Sequence, residues 1–375
     1  MGSRIKELDG CRAIALLMVL TFHYVGSPLS GAYPHNFFLR VLSFGYAGVD
    51  LFFVLSGFLI GAGLLDHIDS PDYFRTFYIR RACRILPPYL LTALALEPII
   101  RHLGCPPTRW YAYAFTANLT FFSGAVWQGM CHLWSLAAEE QFYLILPVAI
   151  RMRQRFVPVV CVGVVLLSPL VRWLEWQRFG YLGARFLPFG HADSLCVGVL
   201  IAYMSRRAPH LLVRCKPIIM PVIAVSSAIL IAFAAMGWTN REIQSAIFAY
   251  SLFALLFGGI VTSVLLTPER WSCLRDPQLV RIGGYSYTIY LIHYPIYWLA
   301  VWFSFPLAIA TSVVVSFTLA ALFWQFIESP CIAFGHSFRY RAEVKSPSHD
   351  FDSAQLNTFI PRCSEPENEL SIRPK

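Results

Sequence analysis

Long apolar runs recur along the chain with short polar and basic stretches between them, and each run is close to the ~20 residues an α-helix needs to cross a bilayer. They fall near 11–27, 45–65, 85–103, 133–150, 156–174, 186–204, 217–236, 246–266, 285–303 and 306–327. The pattern therefore predicts an all-α, polytopic membrane protein with about ten transmembrane helices, some broken or tilted. The aromatic-rich segment near 109–122 reads as a re-entrant or interfacial piece, because its rings suit the headgroup belt. No internal repeat is visible, which weighs against a transporter built from two halves. Beyond the apolar pattern serine, proline, asparagine and charges take over, so 1–336 is expected to be one transmembrane domain and 337–375 a disordered tail.

Composition agrees. Of 375 residues, 57% are hydrophobic and 14% charged, well under the ~25% charged fraction of soluble domains. The net charge of +9 is not a nucleic-acid footprint, because the basic residues sit between apolar runs and no basic-aromatic binding module is visible. Placing the N-terminus in the cytoplasm puts Arg4, Lys6, Arg75, Arg80, Arg81, Arg84, Arg151, Arg153, Arg155, Arg206, Arg207, Arg214, Lys216, Arg270, Arg275 and Arg281 on the inner side. Fewer arginines, among them Arg40, Arg101, Arg109, Arg172, Arg178, Arg185 and Arg241, remain outside. Both termini are thus expected to be cytoplasmic, in the plasma (or cell inner) membrane. The ten cysteines show no CxxC or ligand-like spacing, so neither a disulfide framework nor a metal site is expected.

The chemistry begins in LDGCRAIALLMVLTFHY, Leu8 to Tyr24. Arg12 and His23 are eleven residues apart, almost a whole number of turns, so one helix face carries both at a separation of ~16 Å. Ionisable groups inside a span are expensive and mark function by default. A secretory signal peptide is the alternative, but Arg12 interrupts where its apolar region would begin.

Asp50 starts the second span at the level of His23 and could orient its imidazole, or simply cap a helix. The span's Gly45, Gly48, Gly57, Gly61 and Gly63 suit close helix contact. In FYIRRACRILPPYL, Arg81 and Arg84 share a face and, with Arg12 at the same level, could clamp a polyphosphate. HLWSLAAEEQFYLILP buries Glu139 and Glu140 beside Trp134, Gln141 and Tyr143; adjacent glutamates diverge by ~100°, so at least one faces an interior cavity. Ser135 lacks a nucleophile elbow and reads as a cap or hydrogen bonder. His293 and Glu328 read as structural, the latter paired with an inner arginine.

Together, LDGCRAIALLMVLTFH, GYAGVDLFFVLSGFLI, RRACRILPPYL, HLWSLAAEEQFYLILP, GYSYTIYLIHYPI and FIESP resemble, in that order over roughly 5–335, the acyltransferase-3 family of integral-membrane O-acyltransferases. The resemblance implies transfer of an acyl group, usually acetyl from acetyl-CoA, to a hydroxyl of a carbohydrate such as a lipopolysaccharide or other cell-surface polysaccharide. The family's first-helix arginine and histidine fall on Arg12 and His23, and its paired arginines on Arg81 and Arg84. On that reading Arg12, Arg81 and Arg84 hold the CoA phosphates, and His23, Asp50 and Glu140 form the catalytic set. Trp134, Glu139 and Tyr143 then line the acceptor, and no metal is needed. Some relatives carry an extracytoplasmic esterase domain for which this chain has no room, so the acceptor is expected to meet the membrane domain or be brought by a partner. The competing class is a polytopic transporter of a glycan, lipid-linked intermediate or small solute, with Arg12, His23 and Glu140 as its polar path.

Overall fold

The computed structural model describes residues 5–104, 108, 113–120, 128–239 and 242–341, so most of the predicted tail and part of the 109–122 segment lie outside the described residues. Among the described residues the chain is helical, without strands. The helices are α1 (Lys6–Thr21), α2 (Ser27–Ala32), α3 (Phe37–Ser43), α4 (Gly48–Asp66), α5 (Tyr73–His102), α6 (Ala117–Thr120), α7 (Leu133–Arg153) and α8 (Val157–Phe186). They continue as α9 (Ala192–Arg207), α10 (Pro209–Arg214), α11 (Lys216–Met236), α12 (Tyr250–Leu266), α13 (Pro277–Ala300), α14 (Phe305–Phe323) and α15 (Ser329–Ser337).

Seven helical runs among the described residues are long and apolar enough to cross a membrane: Lys6–Ala32, Phe37–Asp66, Tyr73–His102, Leu133–Phe186, Lys216–Met236, Ser245–Leu266 and Phe305–Ser337. These seven runs do not confirm the expected count of about ten, and the differences have physical reasons. The spans expected at 133–150 and 156–174 fall in α7 and α8, which a 3-10 turn at Gln154–Phe156 joins and which are counted together as the run Leu133–Phe186. The span expected at 186–204 becomes α9, only 16 residues long. The one expected at 285–303 lies in α13, whose tyrosines, glycines, proline and histidine make it too polar to face lipid along its length. Its buried residues, Thr288 to His293 among them, show why: α13 faces protein.

The centre of the molecule is α4 held between α1, α9 and α12. Glycines set the closest approach. A Cβ on Gly57 would lie 2.1 Å from the Leu195 carbonyl, and one on Gly198 would lie 2.2 Å from that of Val54, so α4 and α9 touch backbone to backbone. Gly45, Gly48 and Gly61 also meet neighbouring helices, whereas nothing approaches Gly63. Polar ties lock the same bundle. The Arg206 guanidinium pairs with Asp66 at 2.9 Å, and Arg172, fully buried, pairs with Asp193 at 2.9 Å. Arg172 also donates to the carbonyls of Gly190 (2.5 Å) and Ile247 (3.0 Å) and to the Ser251 hydroxyl (2.5 Å), so each of its nitrogens is engaged. A buried charge is tolerated only when paired and hydrogen-bonded in this way.

Three π-turns interrupt the helices, at Phe22–Gly26, Ser245–Ala249 and Trp324–Glu328. Such single turns commonly occur at functional sites. The first carries His23, and the third carries Glu328, which accepts the Thr288 hydroxyl and has Arg84 as an electrostatic neighbour. Arg84 is thus the inner arginine found beside Glu328. Asn118, a glycosylation sequon asparagine, is buried and exchanges two 3.0 Å hydrogen bonds with Gln141.

Candidate active site

The bundle encloses two chambers stacked end to end. One, of about 800 Å³, is lined by His23, Asp50, His132, Trp134, Arg185, His191, Tyr250, Tyr290 and Tyr294 among others. The other, of about 100 Å³, is lined by Arg12, Arg81, Arg84, Ser135, Glu139, Glu140, Tyr143 and Tyr287 among others. Val49 of α4 and Tyr290 of α13 line both, so they form the partition. The predicted co-facing of Arg12 and His23 takes this form: each opens on the seam between α4 and α13, one in each chamber.

In the histidine chamber the partners of His23 define its tautomer. His293 Nδ1 lies 2.6 Å from the Tyr290 carbonyl and 3.2 Å from that of Ile289, and a carbonyl can only accept, so Nδ1 carries the hydrogen. In the neutral ring Nε2 of His293 is then an acceptor. It lies 2.9 Å from Nδ1 of His23, which must donate to it. That leaves Nε2 of His23 with a lone pair and no hydrogen, the state a general base needs. Helix α13 thus supplies the hydrogen-bond partner of His23: His293, read from the sequence as structural, is in direct contact with it. His132 adds a third imidazole; its Nε2 donates to the Leu291 carbonyl at 3.0 Å, and its Nδ1 is buried without a partner among the described residues.

Asp50 does not orient His23 through a hydrogen bond. It accepts the Ser194 hydroxyl at 2.9 Å and lies 3.7 Å from Nδ1 of His191, both at the start of α9. The glycine contacts that draw α9 against α4 explain the change of partner. His191 Nε2 donates to the Arg185 carbonyl at 2.8 Å, so its Nδ1 faces Asp50. Trp134 stands here too, with its ring centroid 4.7 Å from that of His191.

The arginine chamber gathers the other six predicted residues. Arg12 pairs with Asp9 at 2.8 Å, and the Arg81 guanidinium lies 5.7 Å from the centre of the Tyr143 ring. Glu139 accepts hydrogen bonds from Ser56 and Tyr143, while Glu140 is an electrostatic neighbour of Arg81. Glu139, Glu140 and Tyr143 were expected beside His23 and Trp134; the structure separates them. The reason is helix rise: five to nine residues beyond Trp134 along α7 carries a side chain roughly 8–13 Å farther on. The prolines Pro87 and Pro88 follow Arg81 and Arg84 and remove the amides that would bond the carbonyls of Cys83 and Arg84, loosening α5 where the guanidinium groups leave it.

Sequence reasoning missed His132, Arg185, His191 and Tyr290. Their signal was present for two of them: Arg185 and His191 lie at an apolar boundary, where an ionisable residue is a functional candidate, but Arg185 was counted as a topology marker. Among the described residues no group of three or more His, Cys, Asp or Glu side chains is arranged to hold a metal ion.

Arginines lining one chamber and a base-state histidine lining the next suit the transfer of a group. The chain belongs to the acyltransferase-3 family, whose model, described as "Acyltransferase domain", matches residues 5–327. It is 27% identical over 326 residues to a Staphylococcus aureus (strain COL) protein named "Putative O-acetyltransferase SACOL0978", covering 78% of this chain and 50% of that one. It is 26% identical over 329 residues to "O-acetyltransferase OatA" of S. aureus (strain NCTC 8325 / PS 47), with 78% of this chain and 50% of that one covered. The chain therefore spans about half the length of the curated relatives it matches. No solved structure matches it.

Proposed function

We propose that this protein is a multi-pass membrane O-acetyltransferase that moves an acetyl group from acetyl-CoA to a carbohydrate hydroxyl. The observation that carries the reading is the pair of chambers meeting at Tyr290, one lined by three arginines and the other by His23 with its lone pair presented. Guanidinium forks suit phosphate oxygens, so Arg12, Arg81 and Arg84 fit the phosphates of the donor. A volume of about 100 Å³ fits a narrow arm, not a nucleotide, so the adenosine end would stay at the mouth. The arginine end then faces the cytoplasm, where the donor is made, and the larger chamber opens to the acceptor.

Bound there, the donor supplies an acetyl group already activated as a thioester. His23 Nε2 takes the proton of the acceptor hydroxyl as its oxygen attacks the acetyl carbon, and delivers it to the sulfur as the C–S bond breaks. His293 accepts the hydrogen bond from Nδ1 of His23 and so keeps Nε2 aimed at the chamber. Glu140 lies beside Arg81 and steadies the donor cluster. Both termini would be cytoplasmic, in the plasma membrane.

The test is mass spectrometry of surface and secreted glycans from cells with the protein, without it, and with His23→Ala. The expected result is one acetyl increment on one sugar, present only with the intact protein. Glycans identical in all three strains, together with no turnover of acetyl-CoA by the purified protein, would reject the reading.

A further inference from the structure

Arg185 ends the last turn of α8, after Gly180 (φ 65°) has broken the helix and turned Tyr181, Arg185 and Phe186 over the histidine chamber. Four rings pack around its guanidinium: Phe22 at 5.4 Å from the ring centre, Tyr181 and Phe186 at 5.6 Å, and Tyr46 at 5.8 Å. It donates to the Tyr181 hydroxyl, and among the described residues no carboxylate pairs with it. Arg172, on the same helix, is the contrast: buried, and fully taken up by Asp193, Ser251 and two carbonyls. Arg40 also lines the chamber, with its Nε engaged by the Pro34 carbonyl (2.6 Å) and its Nη1 by the Ala235 carbonyl (3.1 Å). Rings stacked about a guanidinium hold its plane and leave its N–H edge to be presented, so Arg185 is a cation fixed in place with donors to offer.

We infer that Arg185 is a specificity residue: it binds a carboxylate carried by the acceptor sugar, and the preferred acceptor is an acidic sugar. This rests on the carbohydrate-acceptor reading above. A cation held by aromatic rings without a carboxylate partner matches a negative charge on a ligand, and a planar fork matches a carboxylate through two parallel hydrogen bonds. Asp50 and Glu242, which also line the chamber, disfavour a dianionic phosphate ester. The aromatic rings of Tyr46, Trp134, Tyr250 and Tyr294 supply apolar faces for the sugar itself.

The test uses the purified full-length protein in detergent and two probes that differ only at C6, p-nitrophenyl β-D-glucuronide with a carboxylate and p-nitrophenyl β-D-glucoside with a hydroxymethyl group. Wild-type protein is expected to bind the glucuronide about tenfold tighter, the preference falling as salt is raised. Arg185→Gln should erase the preference, and Arg185→Lys, with charge but no fork, should keep part of it. Equal affinity for both probes, no binding of the glucuronide, or a preference that survives in a folded Arg185→Gln protein would overturn the assignment. The salt series on wild type decides alone if neither variant folds. Acetyl-CoA turnover, measured separately with wild type and His23→Ala, reports on the transferase reading, so the two ideas fail independently.

Discussion

The two chambers share four helices, α1, α4, α7 and α13, yet they handle charge in opposite ways. In the arginine chamber guanidinium groups and carboxylates are neighbours: Arg12 with Asp9, Arg81 with Glu140, Glu139 with two hydroxyl donors. In the histidine chamber groups are left with unused capacity: among the described residues the Nδ1 of His132 has no hydrogen-bond partner, and the Nε2 of His23 is bare by its tautomer. A site that only binds can be compensated in advance, whereas a site that moves a proton must keep a lone pair available. On the proposed reading, the difference gives binding to one chamber and chemistry to the other.

The sharpest way to break that division is His23→Ala. Loss of a general base should lower acetyl transfer by about 10²–10⁴-fold while leaving acetyl-CoA binding to the purified protein intact. If transfer persists, the histidine chamber is not the chemical one. The converse substitutions, Arg81→Ala and Arg84→Ala, should each raise the KM for acetyl-CoA by about tenfold or more, the equivalent of one charge-assisted hydrogen bond, with a smaller change in kcat. A fall in kcat at constant KM would place these arginines in the chemistry and dissolve the distinction.

His293 sharpens the comparison within one chamber. His293→Leu removes the acceptor for His23 Nδ1–H and should lower kcat by roughly tenfold with little change in KM, as expected when a base loses its orientation. His293→Gln offers a carbonyl oxygen in its place and should restore part of kcat. A purely structural histidine would show no such split and no rescue by an acceptor.

Much of this was written in the sequence and some was not. The all-helical membrane class followed from apolar run length, and Arg12, Arg81 and Arg84 were grouped correctly because residues near one membrane level converge whatever the helix order. Position along one helix was misjudged: Trp134 and Glu139 are close in sequence but lie in different chambers, since rise along α7 separates them. Pairing across helices was not legible either. His23 finds His293 instead of Asp50, 270 residues away, because α13 packs on α1 while glycines draw Asp50 toward α9. Helix α13 was also counted as an ordinary span; its polar residues identify it as the wall of a site only once its neighbours are known.

The smallest expected effect tests the partition itself. Ser135 lines the arginine chamber on the helix that also bears Trp134, so a serine nucleophile is the natural rival to His23. Its surroundings argue against that role. Its hydroxyl lies 3.1 Å from the His132 carbonyl and 2.5 Å from the Tyr290 hydroxyl, which is itself 3.2 Å from the same carbonyl. Two hydroxyl hydrogens serve three contacts, so either serine donates to the carbonyl and accepts from tyrosine, or tyrosine donates to the carbonyl and accepts from serine. In both arrangements the hydrogen on Ser135 is bound to a carbonyl or a phenol, neither of which is a base able to remove it. Ser135→Ala should therefore change acetyl-CoA turnover by less than about threefold, costing one neutral hydrogen bond in the partition at most. Turnover that collapses in Ser135→Ala, with an acetyl group found on Ser135 of the wild-type protein by peptide mass spectrometry, would move the chemistry across Tyr290 into the arginine chamber.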